Sequence, residues 1–401
     1  MAKVEIHWVF NEMARNFLCG VNVQFIIGYV ILSLENLDVL AVFFRVLIIC
    51  LFPRGLLAYV TLHEVIKRTD LKVSPFRLVA IRWLRAAPVM AGSMLMVFSI
   101  PTQFGDGPVF REGYSKILNN CYNNWWRELI GFGNINRDAT ELCLVPGWAI
   151  SADFQLFICF LPVIYTLHRK PRFGLWILAC SILVGISITA YVLYQFDLEP
   201  FVDAHETNVV KQYTDTKWLH LSAHNYISSY AMGVLIGHLA INRIVPSAKL
   251  ARILWLLIYV IFSSVTVVPA IWRVYGRSQF QKILFGSLYR TAYSSGAAWF
   301  LYRMITIKSV VSRAMSWQGF APFGRMFLTM FFGMTFFTFF DNLTIRTPID
   351  WRHYDIITRS TYIIVYGMII GYIMHIVIEA PFMVMLKTAL LQRKSMKAKD
   401  K

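Results

Sequence analysis

Residues 173–194 read FGLWILACSILVGISITAYVLY, an unbroken run without Asp, Glu, Lys, Arg or His. It exceeds the ~18 consecutive apolar residues that mark a membrane-spanning helix, and it is far too long for a buried strand. In lipid every backbone N–H and C=O must be paired within the segment, so such a run has to be helical. Working outward, further apolar segments stand at 17–33, 38–60, 78–101, 148–167, 223–242, 250–272, 283–306, 320–341 and 356–386. At ~20 residues per span the chain reads as all-α, a polytopic integral membrane protein of about ten transmembrane helices. Pro53 and Pro88 fall inside or beside spans, where proline kinks a helix.

Composition agrees with lipid as the solvent. Hydrophobic residues make up 57% of the 401 and charged residues 15%, against about 25% charged in soluble domains. The net charge of +17 does not imply nucleic acid. The Lys and Arg residues sit in short loops between apolar runs, and no soluble domain is present to hold a duplex. Attraction to anionic lipid and the positive-inside rule explain the excess.

The loops also orient the chain. Those around Lys67, Arg68, Lys72 and Arg77, around Arg169, Lys170 and Arg172, around Arg243, Lys249 and Arg252, and around Arg303, Lys308 and Arg313 are basic. The alternate connections are less basic or acidic, with Glu35, Asp38, Asp197, Glu199, Asp203 and Glu206. Basic loops face the cytosol, which puts both termini there. Arg273, Arg277 and Lys282 break the pattern.

The expected organisation is a short N-terminal segment (1–16) without a secretory signal, a membrane domain (17–390) and a basic cytosolic tail (391–401). Both the endoplasmic reticulum and the plasma membrane fit, and membrane lipids are the expected surroundings. The far-side loop 102–147 holds Cys121 and Cys143. An oxidising compartment allows a disulfide between them, with two free thiols as the alternative. Cys19, Cys50, Cys159 and Cys180 lie in apolar runs and read as core residues. The sequon Asn342-Leu343-Thr344 lies on the far side, close against a span.

A charge at the centre of a span costs ~2.5–3.5 kcal/mol on insertion scales, so charges within spans are candidate functional groups. Arg82 and Arg85 share one helical face at the cytosolic end of a span. His238, Arg325, His375 and Glu379 lie at comparable cytosolic depth. Two readings fit this group: snorkelling to headgroups, or a pocket in which arginine forks grip donor phosphates. Asp153, Gln155 and Arg290 form a far-side set, with Arg45 deeper. Asp153 and Arg290 lie at similar depth, as an ion pair that locks packing or as part of a reacting site. No phosphate-binding loop, zinc motif or nucleophile elbow is present. His205, His220 and His224 lack metal-ligand spacing, so no metal site is expected.

The order of these residues resembles the acyltransferase 3 family, in its nose resistant to fluoxetine-like animal branch. Phe52-Pro53-Arg54-Gly55-Leu56-Leu57-Ala58-Tyr59, Arg82-Trp83-Leu84-Arg85-Ala86-Ala87-Pro88 and Asn119-Asn120 come first. Cys143, Trp148, Asp153 and Gln155 follow, then Tyr230-Ala231-Met232-Gly233 with Gly237, and Gly286-Ser287-Leu288-Tyr289-Arg290. Ser316-Trp317 with Pro322 and Arg325, Arg346 with Pro348, and Glu379-Ala380-Pro381 complete the series across nearly the whole chain.

The resemblance implies an enzyme moving acyl groups, other than amino-acyl groups, from a cytosolic donor such as acyl-CoA to a lipid or hydroxyl-bearing acceptor. It holds no resident cofactor. Arg82, Arg85, Asp153, Arg290, Arg325 and Glu379 become the donor- and substrate-binding candidates. The family's central histidine in the first core span would deprotonate the acceptor. Here Tyr29 stands at that position, and Arg15 does not clearly fill the arginine position before it. Phe331-Phe332-Gly333-Met334 replaces the late histidine segment, and the branch's cysteine-rich domain is missing. A tyrosine, with its pKa of about 10, is a poor base at pH 7. The sequence therefore implies an acyltransferase, or a catalytically inactive relative of one. A protein that transports or handles lipids or small molecules is the alternative.

Overall fold

The computed structural model describes residues 54–67, 74–99, 105–137, 141–200, 209–307, 310–315, 317–346, 353–386 and 388. Tyr29, Arg15, Arg45, Cys19, Cys50, Pro53, His205, Lys308, Ser316 and Pro348 lie outside these, as do the segments 1–16, 17–33 and 391–401. Among the described residues all regular structure is helical.

In chain order the helices are α1 (54–67), α2 (Pro75–Ser99), α3 (Phe110–Leu129), α4 (Gly147–Arg169), α5 (Pro171–Gln195), α6 (Val209–Asp215) and α7 (Ile227–Ile241). Then come α8 (Ala248–Tyr275), α9 (Gln279–Thr306), α10 (Val310–Met315), α11 (Ala321–Arg325), α12 (Phe327–Thr344) and α13 (His353–Met374). A π-helical stretch, His375–Glu379, carries α13 onward. Among the described residues four helices are long and apolar enough to cross a membrane: Pro75–Ser99, Gly147–Arg169, Pro171–Gln195 and Thr361–Leu386. Among the described residues the protein is thus all-helical, and these four helices mark it as a membrane protein.

Local chemistry sets the helix ends. Pro171 opens α5 at a position where its missing N–H costs nothing. Ser278 and Gln281 form a reciprocal capping box at the start of α9. Gly276, at φ +75°, ends α8 in a conformation that a side chain would resist.

The described residues fall into two compact units. The first takes in α1, most of α4 and the helices from α5 to α10. Its centre is the packing of α5, α7 and α9. Gly185 lets α5 approach the backbone of Ser228. Across α7 and α9, Thr291 donates to Ser228 at 2.8 Å and Ser294 to Ser229 at 2.7 Å. Small residues and hydroxyl bonds thus hold these three helices together.

In the same unit Glu199 is buried and meets Lys211 and Lys282, each at 3.3 Å, as well as Arg277. Lys282 also reaches Asp197 at 2.8 Å and holds that carboxyl below its ordinary range. Arg277 and Lys282, two of the three cations that break the charge pattern, are thus paired with Asp197 and Glu199.

The second unit takes in α2, α3, the segment 140–151, α12 and α13. Gly333 and Gly367 bring α12 and α13 together, and at Gly371 a Cβ would stand 2.6 Å from the Met330 Cα. Gly367 and Gly371 are the two ends of a G-x-x-x-G pattern, which permits this approach. Tyr114 of α3 donates to the Val97 carbonyl and Trp83 of α2 to the Leu129 carbonyl, each at 2.7 Å. Cys121 and Cys143 are joined in a disulfide. The Glu128 carboxylate, 1% exposed, accepts from the Cys143 and Leu144 N–H groups. Burial pushes its pKa up to about 7 against the pull of those two donors. Asn342 of the sequon is exposed in the last turn of α12.

Candidate functional site

The chemistry-bearing cluster of the first unit is built on α1, α4 and α7. Tyr59 and His63 lie four residues apart on α1 and so project from one face. His168 stands in the last turn of α4 and His238 in the last turn of α7. Gly237 makes the meeting possible, because a Cβ there would stand 3.0 Å from the Tyr59 ring.

The hydrogen bonds fix the tautomers. His168 Nδ1 lies 2.8 Å from the Ile164 carbonyl. A carbonyl only accepts, so Nδ1 carries the proton and the Nε2 of the neutral ring is an acceptor. His63 Nδ1 lies 2.8 Å from that Nε2 and must donate to it. His63 Nε2 therefore carries the lone pair. An imidazolium formed at His63 would strengthen its bond to His168, because charge-assisted hydrogen bonds are about twice as strong as neutral ones.

Tyr59 joins the second half. Its ring stacks on His168 with centroids 5.1 Å apart, and its hydroxyl meets His238 Nδ1 at 2.8 Å. Asn242 donates to the His238 carbonyl at 2.8 Å and lies 3.2 Å from Nδ1. Lys67, Arg169, Lys170, Arg172 and Arg243 are exposed at the same helix ends as the histidines. Basic side chains therefore stand around the cluster.

The candidates read from sequence are placed as follows. Asp153 is buried, and its carboxylate meets Arg54 of α1 at 3.2 Å. Arg290, 1% exposed, does not pair with Asp153. It donates to the Leu219 carbonyl at 2.6 Å and to the Tyr289 hydroxyl at 3.1 Å, under the rings of Tyr226 and Tyr289. The reason is local. The π-helical stretch Thr216–Leu221 turns the Leu219 carbonyl toward Arg290, while Arg54 is the cation facing Asp153. Gln155 donates to Asn134 at 2.8 Å, and Asn134 to the Leu221 carbonyl at 2.8 Å. Burial, with the Arg290 charge added, holds His220 well below its ordinary pKa, so it stays neutral.

The other candidates lie in the second unit. Arg82 is half-buried and Arg85 exposed on α2, and Arg325 is exposed at the end of α11. Glu379 is buried and paired with His375 at 2.8 Å, one turn away in the π-helical stretch. His238, grouped by depth with these residues, belongs instead with the histidines of the first unit. Among the described residues no group of His, Cys, Asp and Glu is arranged to hold a metal ion.

His63 and His168 are the residues that sequence reasoning missed. Each stands singly at the end of an apolar run, where it reads as one more polar terminus. The signal available was their shared position, at basic ends of separate runs, with Tyr59 one turn from His63.

No family model, curated protein or solved structure matches the chain.

Proposed function

We propose that the chain is a membrane-bound acyltransferase of the acyltransferase 3 type. It has about ten spans by the ~20-residue criterion, both termini in the cytosol, and takes acyl groups from a cytosolic donor such as acyl-CoA for a lipid or hydroxyl-bearing acceptor. The observation that carries the reading is the His63–His168 pair, with its lone pair on His63 Nε2. Such a nitrogen is suited to remove a proton from an acceptor hydroxyl, a role worth about 10²–10⁴-fold in rate. It offers the base that Tyr29 does not. The exposed Lys67, Arg169, Lys170, Arg172 and Arg243 complement a polyanionic thioester donor. The Cys121–Cys143 disulfide supports placing its loop in an oxidising compartment, opposite the basic loops.

Transfer of radiolabelled acyl groups from acyl-CoA by full-length protein in liposomes tests the reading. Label should appear in lipid or in an added alcohol, and His63→Gln should abolish it while the protein remains folded. Wild-type protein that transfers no label from short- or long-chain acyl-CoA, yet moves lipid between leaflets, would establish lipid handling without chemistry. The open apolar cleft between α4 and α5 favours that second reading.

A further inference from the structure

Helices α4 and α5 are consecutive spans joined through the single residue Lys170. At the join they pack tightly, since a Cβ on Gly174 would stand 2.5 Å from the Leu167 Cα. Away from it they diverge and leave an open cleft of about 530 Å³. Leu156, Cys159, Phe160 and Val163 form one wall, and Phe173, Trp176, Ile177, Cys180 and Val184 the other. The 3-10 turn Ala223–Tyr226 and Ile227 close the end remote from the join.

Three observations define what fits. The lining is almost wholly apolar, and both walls are membrane-spanning helices, so the cleft opens to lipid and not to water. From Phe173 to Val184 the wall rises about 16 Å at 1.5 Å per residue, which matches one leaflet of an about 30 Å hydrocarbon core. Gln155 and His224 stand together at one end, and the hydroxyl of Ser181, the other polar side chain in the lining, is committed to the Ile177 carbonyl at 2.8 Å. His224 Nε2 is buried there and has no hydrogen-bond partner among the described residues. An unmet buried nitrogen is costly, and a carbonyl or hydroxyl of an occupant would relieve that cost.

We propose that this cleft is a binding site for one straight acyl chain of a membrane phospholipid, with the ester end at Gln155 and His224 and the chain running toward Lys170. The proposal rests on the membrane-spanning character of α4 and α5 and not on acyl transfer.

The test uses full-length protein in nanodiscs of phosphatidylcholine, a few per cent of it carrying a mid-chain diazirine on one acyl chain. After illumination, label should concentrate on peptides covering 155–163 and 173–184. Cys180→Trp, which fills the cleft, should lower that label at least fivefold and leave label on the exposed α8 residues Leu256 and Tyr259 unchanged. His224→Leu should lower it severalfold. Label spread evenly over all lipid-facing helices, or unchanged by Cys180→Trp in folded protein, would overturn the proposal. So would displacement of the label by equimolar free palmitate, which would assign the cleft to a fatty acid.

If Cys180→Trp does not fold, the wild-type thiols serve. Cys159 and Cys180 are exposed free cysteines in the cleft. Their reaction with N-ethylmaleimide should be slower in straight-chain phosphatidylcholine than in the branched diphytanoyl lipid, and equal rates would refute the site. Cross-linking reads no acyl transfer, so its failure and that of the enzyme reading are separable.

Discussion

His63 donates to His168, and not the reverse, because the His168 Nδ1 proton is already committed to the Ile164 carbonyl. The direction makes the two rings unequal. In the acyl transfer proposed above, His63 would be the proton acceptor and His168 the group that orients it. His63→Gln is expected to reduce transfer by about 10²–10⁴-fold, the range for a lost general base. His168→Gln keeps a side-chain acceptor and is expected to cost less, mainly by shifting the pH profile of the rate. Single-turnover transfer measured from pH 5.5 to 9 separates the two variants. Equal losses with unshifted profiles would contradict the assigned direction.

Arg290 is expected to be a stability residue as much as a binding one. Its guanidinium is buried without a carboxylate beside it among the described residues, and it satisfies the Leu219 carbonyl and the Tyr289 hydroxyl. Arg290→Met should strand both acceptors and destabilise the first unit by roughly 2–3 kcal/mol, the worth of a charged hydrogen bond. Thermal unfolding in detergent checks this. Arg290→Lys should recover only part of the loss, because one ammonium cannot reproduce the planar fork.

Glu128 predicts a pH dependence of the second unit. Its pKa is raised by burial from 4.5 to about 7. The folded state therefore holds this proton more tightly than the unfolded state. Its contribution to stability is complete below pH 4.5 and is lost as pH rises through about 7. The whole effect is bounded at about 3 kcal/mol, at 1.36 kcal/mol per unit. The melting temperature should fall between pH 5 and 8 in the wild type, and Glu128→Gln should flatten that fall. A variant with the wild-type slope would remove Glu128 as the cause.

Gly371 should not tolerate even a methyl group. A Cβ there meets backbone atoms of Met330 and not the end of a flexible side chain. Gly371→Ala is expected to lower the melting temperature by several degrees, and Gly371→Ile to prevent α12 and α13 from packing. Cysteine cross-linking between positions 337 and 366, whose rings meet across the two helices at 5.4 Å, with the same pair in an otherwise wild-type chain as reference, reads the packing directly.

What the sequence disclosed follows from what lipid demands. The runs 78–101, 148–167 and 173–194 fall within a few residues of α2, α4 and α5, because apolar length is itself the physical criterion for a span. The run 223–242 also matched in extent, but its first four residues form a 3-10 turn set by Asn225 and Tyr226, which bond back to the preceding carbonyls. Partners were harder to read than positions. Two arginines, Arg54 and Arg290, were available to Asp153, and hydropathy carries no information about which one faces it. The histidine cluster was hidden for the same reason, since 105 residues separate His63 from His168 and no local pattern links them. The G-x-x-x-G at Gly367 and Gly371 was legible in principle, but within an apolar run it looks like two ordinary small residues until the backbone contact is seen.

The one-residue link at Lys170 also constrains how the protein is made. A linker of that length cannot lie on one side of a bilayer while α4 and α5 cross it at separate times. The two are expected to enter as a hairpin with Arg169, Lys170 and Arg172 at its tip. Lengthening the tip with neutral residues would uncouple the pair, and the biosynthetic intermediate would become two independent insertion events.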